Sequence, residues 1–197
     1  MKPFFEKNSL KSILLFLVGL YLVLALEEYL IHKYVMHQKV DLPFIRDVHE
    51  EHIRHHIATN KDFTLKNEDH KNVCFTFMTI IPLFLIATSV LYILFNTIIS
   101  LPIIIFSVIT AAIIHMNVWN TLHSYIHSVD VNKVCKKSLL GISKEYINEE
   151  NIYVKWSVSN HRAHHSIKGD QKGNWNVVFP GLDYILGTHN TIPIEKE

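Results

Sequence analysis

Residues 73–119 read "VCFTFMTIIPLFLIATSVLYILFNTIISLPIIIFSVITAAIIHMNVW", a stretch without a single Asp, Glu, Lys or Arg. It divides at a tight return marked by Asn96 and Pro102 into two apolar runs, 73–95 and 97–119. Each passes the length of about 20 apolar residues that carries a helix across a bilayer. A third run, "SILLFLVGLYLVLAL" (12–26), continues through Glu27 and Glu28 into "YLIH" and is read as a span over about 12–31. Its Lys2, Lys7 and Lys11 resemble the charged start of a signal peptide, but no small-x-small cleavage site follows, so a retained anchor is expected. The expected fold class is therefore all-α: an integral membrane protein with three clear spans and room for a short fourth. A soluble helical bundle is the competing reading.

Working outward, two polar segments flank these runs. Residues 32–72 carry seven Lys or Arg and residues 123–197 carry nine, whereas the return between the second and third spans carries none. The positive-inside rule puts both segments on the cytoplasmic side. The three N-terminal lysines fit this if a short tail faces outward or if the first run dips in and returns. The expected organisation is one domain over 1–197. The membrane would be a bacterial inner membrane or the endoplasmic reticulum.

Composition narrows the function. Nineteen basic and eighteen acidic residues nearly cancel, so nothing suggests nucleic acid as a partner. Cys74 and Cys135 form neither a disulfide framework nor a CxxC metal motif. Histidine is the excess residue, with fourteen copies. Ten of them fall in four clusters, each close to the end of a span or in the polar segment beyond it. "HKYVMH" holds His32 and His37, "HIRHH" holds His52, His55 and His56, "HSYIH" holds His123 and His127, and "HRAHH" holds His161, His164 and His165.

Residues three and four apart share a helix face. His52, His55 and His56 are thus expected to converge on one centre, and His161, His164 and His165 to repeat the geometry. His123 and His127 have the spacing at which two imidazoles of one face hold a metal. His32 and His37 are five apart, about 140° around an α-helix. They would serve two different ions, or the helix would end between them. Ten ligands are too many for one ion and fit two ions with four or five imidazoles each. Thiolates are absent from the clusters, and Glu50, Glu51 and Asp130 are scattered, unlike the Glu-x-x-His pattern of ferritin-like bundles. Imidazole-rich sites suit iron, zinc, copper or nickel. A dimetal site on helices rooted in lipid suggests a lipid substrate, and attack on an unactivated C–H bond calls for a redox metal and oxygen.

The remaining histidines read differently. His70 and His189 are expected to be solvated, His115 to be a packed polar group or a partner of a ligand, and His49 to be an outlier beside a cluster. Glu28, four before His32, and Asn120, three before His123, are placed to hydrogen-bond a ligand's second nitrogen. Solvated helix ends are the alternative for both. Tyr153 and Trp156 are expected to pack in the cap or anchor at the interface, and Asp183 and Thr188 to shape a turn.

The pattern resembles the fatty acid hydroxylase superfamily, which includes sterol desaturases and acyl-chain hydroxylases. "EEYLIHKYVMH" resembles its first histidine box, "HIRHH" and "HRAHH" its two HxxHH boxes, and "HSYIH" its HxxxH box. "NWNVVFPGLDYILGT" (174–188) resembles the closing motif in which a proline precedes an aspartate and a Gly-Thr. The likeness covers roughly 27–188, in order. It implies membrane helices beneath a helical cytosolic cap that encloses two irons, with zinc able to replace them in purified material. The implied metal ligands are His32, His37, His52, His55, His56, His123, His127, His161, His164 and His165.

The implied reaction is O₂-dependent hydroxylation or desaturation of a lipid such as a fatty acyl chain or sterol. Electrons would come from a separate cytochrome b5- or ferredoxin-type donor with its reductase, because no nucleotide fingerprint or fused cytochrome segment is present. Asn160 stands where some acyl 2-hydroxylases of the family have a further histidine. A membrane metal-binding or transport protein is the alternative function. It would need ligand residues along several spans, whereas the only histidine within the three apolar runs is His115.

Overall fold

The computed structural model describes residues 6–39, 41–66, 77–129, 147–166 and 172–191. Among them the fold is all-helical. Helix α1 (Leu10–Leu30) runs without a break into a π-helical segment, Ile31–Met36. It is followed by α2 (Pro43–Ala58), α3 (Phe77–Phe95), α4 (Leu101–Ile126), α5 (Ile152–Ser166) and the single-turn α6 (Leu182–Ile185). An isolated bridge, Thr59 to Leu65, closes the loop after α2. His70, Cys74, Asp130 and Cys135 lie outside the described residues.

Two stretches are long and apolar enough to cross a membrane, Leu10–Met36 and Leu101–Ile126. Only 22% and 17% of their most apolar windows are buried inside the protein, unlike a core helix of a soluble bundle. The run expected over 73–95 appears as α3, whose described apolar part is Ile80–Phe95; residues 73–76 are outside the described set. The apolar run expected over 97–119 lies on α4, which continues as one helix through His123 to Ile126, so the HSYIH box extends the same helix.

Helices α1, α3 and α4 pack along a shared core of Phe16, Leu20, Leu24, Ala87, Leu91, Phe95, Ile99, Ile104 and Val108. Phe16 meets Phe95 edge to face at 5.6 Å. Gly19 permits this approach, since a Cβ there would stand 2.3 Å from the Phe95 ring. Gly19→Ala is therefore expected to displace that ring and cost about 1–3 kcal/mol, read as a lower melting temperature in detergent.

The N-terminus of α1 is tied to the α3–α4 return. The Asn8 amide donates to Ile98 O at 2.8 Å, and the Ser100 amide donates to Asn8 Oδ1 at 2.9 Å. This tie fixes the polarity of the bundle. The return lies at one end, and the C-terminal ends of α1 and α4, with their histidines, lie at the other.

Candidate metal centre

All ten clustered histidines meet at that end, and they sort into two adjacent groups. His55, His123, His127, His161 and His165 have ligand nitrogens within 4.8 Å of one another, and so do His32, His37, His52 and His164. His56 joins the second group, with its Nε2 3.1 Å from that of His52 and 3.2 Å from that of His164. The groups abut where the His56 and His165 rings stack at 4.1 Å.

The partition differs from the sequence expectation in two ways. Each HxxHH box is split rather than aimed at one centre. In α2 the i, i+4 pair His52 and His56 faces the second group while His55 faces the first. In α5 the pair His161 and His165 faces the first while His164 faces the second. The middle histidine lies about 100° around the helix from the last and turns to the neighbouring centre, so the two boxes interlock the groups. His32 and His37, in contrast, serve the same group, with ring centroids 5.3 Å apart. The physical reason is the π-helical segment between them. Its i→i+5 hydrogen bonding widens the turn, bringing residues five apart onto one side.

Second nitrogens fix the rings. His32 Nδ1 meets the carbonyl of Trp175 at 2.7 Å, His164 Nδ1 that of Gly173 at 2.8 Å, and His127 Nδ1 that of Phe63 at 2.8 Å. A carbonyl only accepts, so each Nδ1 carries the proton and each Nε2 presents a lone pair. Those lone pairs face the Nε2 atoms of neighbouring rings. The Nε2–Nε2 separations are 2.9 Å for His37–His52, 3.0 Å for His37–His164, 3.3 Å for His32–His52 and 3.2 Å for His127–His161.

An Nε2 lone pair at such a distance from another Nε2 in a buried site needs a proton or a metal cation between the two. Imidazoles bound about 2.0–2.1 Å from one metal ion stand roughly 2.9–3.4 Å apart at right-angled to tetrahedral angles. The donor set fits a pair of first-row transition metals. His32, His37, His52, His56 and His164 would hold one, and His55, His123, His127, His161 and His165 the other.

The same burial acts on protonation. It pushes His37 down to about 2 and His127 down to about 4, and it holds His52, His56, His161, His164 and His165 below the ordinary imidazole range. Neighbouring imidazoles add to burial in all of these except His127, where the Phe63 carbonyl pulls the other way. The unfolded chain takes up protons near pH 6.5 while the folded site does not, so stability falls as pH drops below that value. Each such histidine contributes about 1.4 kcal/mol per pH unit. The metal-free protein is thus expected to melt at markedly lower temperature at pH 5.5 than at pH 7.5. A flat profile would mean that the folded site accepts the protons.

A strap made by residues 172–190 closes the site and supplies two of those carbonyls. The sequence leaves Glu28 open between a partner of His32 and a solvated helix end, and it is neither: it is buried and its carboxylate goes elsewhere. It accepts the backbone N–H of Val177 at 3.2 Å, Val178 at 2.9 Å and Phe179 at 3.0 Å, and Asn176 Nδ2 at 3.1 Å. His115 approaches it at 3.4 Å. Asp183 accepts from the Trp175 and Asn176 amides and from Thr188 Oγ1, which makes the expected turn. Asn160 donates through Nδ2 to Asn176 O at 2.5 Å, and Tyr153 donates to Val178 O at 2.7 Å while stacking on Trp156. His49 bonds Met36 O through Nδ1 at 2.9 Å and joins neither group. Asn120 is fully buried on α4. His189 stacks on Tyr184.

Trp175 packs against His32, His37 and His164, and Trp119 against His32 and His123. Below them an apolar cavity lined by Leu24, Leu83, Phe84, Ala87, Val108 and Ala112 reaches His32, with Glu27 on its wall. A wholly apolar groove between α3 and α4, lined by Ile81, Ile109 and Met116 among others, adjoins it through Ile80, Phe84 and Ala112.

The bundle thus combines two helices long and apolar enough to cross a membrane with two abutting histidine groups able to hold metal ions at one end. The chain belongs to the fatty acid hydroxylase family, whose family model matches residues 17–188. Neither the curated proteins nor the solved structures gave a match.

Proposed function

We propose that this protein is a membrane-bound, O₂-dependent diiron oxidoreductase that hydroxylates or desaturates an unactivated C–H bond of a lipid, such as a fatty acyl chain or a sterol. The observation that carries the reading is the convergence of ten imidazoles in two abutting groups beside an apolar cavity between membrane-length helices. Family membership supports it, since the family is typically iron-dependent. Bound iron supplies the oxygen-activating redox chemistry that no side chain possesses.

The protein's own residues do the rest. The carbonyls of Trp175, Gly173 and Phe63 hold His32, His164 and His127 in the tautomer that leaves Nε2 free. Trp119 and Trp175 wall the centres from water, and the cavity orients an apolar chain toward His32. The wider reading is a single domain over 1–197 with α3 as a third span, the histidine end in the cytoplasm, and a separate electron-donor protein. Charge distribution supports the orientation, with seven and nine cationic residues in the two histidine-bearing segments.

The test pairs metal content per chain in detergent with lipid analysis of cells expressing the wild type or His164→Ala. About two irons per chain, together with an oxidised lipid made by the wild type alone, is the expected result. Metals without any lipid change would favour a metal-binding or transport protein instead.

A further inference from the structure

Residues 174–180 are irregular backbone, yet they run alongside α1 and α4 rather than beyond their ends. Asn176 Nδ2 donates to Ala25 O at 2.9 Å. Phe179 packs edge-on against Tyr21 at 5.6 Å and against His115 at 5.1 Å, and the Tyr21 hydroxyl donates to Pro180 O. Tyr21 lies eleven residues before His32 and His115 eight before His123. At about 1.5 Å per residue these offsets are roughly 16 and 12 Å. Two separate helices therefore agree that the tip of the strap reaches well past the ligand level, toward the middle of the apolar stretches. The same tip turns Tyr184, Ile185 and Leu186 outward, with Ile185 72% exposed. Beside it α1 shows an exposed apolar surface that includes Leu14, Val18, Leu22 and Leu26.

We propose that residues 179–186 form a re-entrant segment, inserted into the leaflet on the histidine side, with Tyr184, Ile185 and Leu186 packed against lipid acyl chains. The proposal rests on reading α1 and α4 as spans. Non-helical backbone at membrane depth persists only where its polar groups are satisfied by protein, and the segment and the strap leading into it carry such partners. Pro180 O accepts from Tyr21, the Ile185 and Leu186 amides donate to the Gly181 and Leu182 carbonyls, and Asp183 O accepts from the Thr188 and His189 amides. Glu28 takes the amides of residues 177, 178 and 179, and Asp183 takes those of 175 and 176. Tyr153 and Ser157 donate to the carbonyls of Val178 and Val177. An acidic residue inside an apolar helix is costly; here it neutralises the exposed donors of a strand-like insertion. The lipid contact continues the apolar surface of α1, so the occupant is the bilayer rather than another protein.

The test uses the full chain with Cys74 and Cys135 replaced by serine, reconstituted in phosphatidylcholine nanodiscs. Single spin labels at Ile185→Cys, Leu22→Cys and Ile152→Cys report collisions with oxygen, which concentrates in lipid, and with a water-soluble nickel chelate. All three positions are exposed, so labelling leaves the core intact. The expected result is that Ile185→Cys matches Leu22→Cys, with several-fold less nickel contact than Ile152→Cys. A label at Ile185→Cys as open to nickel as Ile152→Cys, with Leu22→Cys still shielded, would overturn the insertion alone. Nickel contact at Leu22→Cys as well would overturn the span assignment and the proposal with it.

Discussion

Glu28→Ala is expected to release the strap and, with it, the metals. The substitution leaves three backbone amides without their acceptor in a buried setting and Asn176 Nδ2 with Ala25 O alone. Each buried donor left unsatisfied costs about 1–3 kcal/mol. The total, roughly 4 kcal/mol or more, is a large part of the whole folding stability of about 5–15 kcal/mol. Because Trp175 and Gly173 supply the carbonyls that hold His32 and His164, metal affinity should fall together with stability. Glu28→Gln retains one acceptor oxygen but turns an amide toward donors, so an intermediate loss is expected. Melting temperature, metal content and proteolytic nicking of 172–190 measure all three effects. An alanine variant that melts like the wild type would mean that the strap is held by its α5 contacts instead.

The second large effect concerns how single ligand losses group together. Removing one imidazole from a centre of five should weaken that metal far more than its neighbour. His52→Ala and His164→Ala are therefore expected to give alike metal titrations, with one tight site retained, although they come from different boxes. His55→Ala should resemble His161→Ala for the same reason. Each should lower turnover by several orders of magnitude, well beyond the 10–100-fold typical of losing an outer partner of a ligand. If His52→Ala and His55→Ala instead gave one shared phenotype, the box would act as a unit and the interlocked partition would be wrong.

Much of this architecture was legible in the sequence because it rests on residue type and period. Apolar runs announce lipid-length helices, and HxxHH and HxxxH announce imidazoles gathered on helical faces. The family likeness drawn from those boxes and from 174–188 agrees with the match over 17–188. The partition between centres was not legible. Three histidines at 0, 3 and 4 cover an arc wide enough to face one centre or two, and only the meeting of the imidazoles of different helices decides. The π-helical winding over Ile31–Met36 was also hidden, because an angle computed for an α-helix misplaces His37. The role of Glu28 was hidden for a different reason. Its partners are backbone amides nearly 150 residues away, and the carbonyls that actually hold His32, His127 and His164 belong to residues whose side chains carry no signal of that role. The extra length of α4 beyond residue 119 escaped because helix continuation across a polarity change leaves no mark in hydropathy.

The π-helical segment has a consequence for reading chains of this kind. In α4 two imidazoles four residues apart reach one centre through ordinary winding. At the end of α1 two imidazoles five residues apart do the same through a wider coil. The extra residue is absorbed by the backbone while the rings keep their places. The count of residues between histidines is therefore a poor ruler for where they point. A one-residue gain or loss in such a box is a change of thread pitch that leaves the bolt in the same hole.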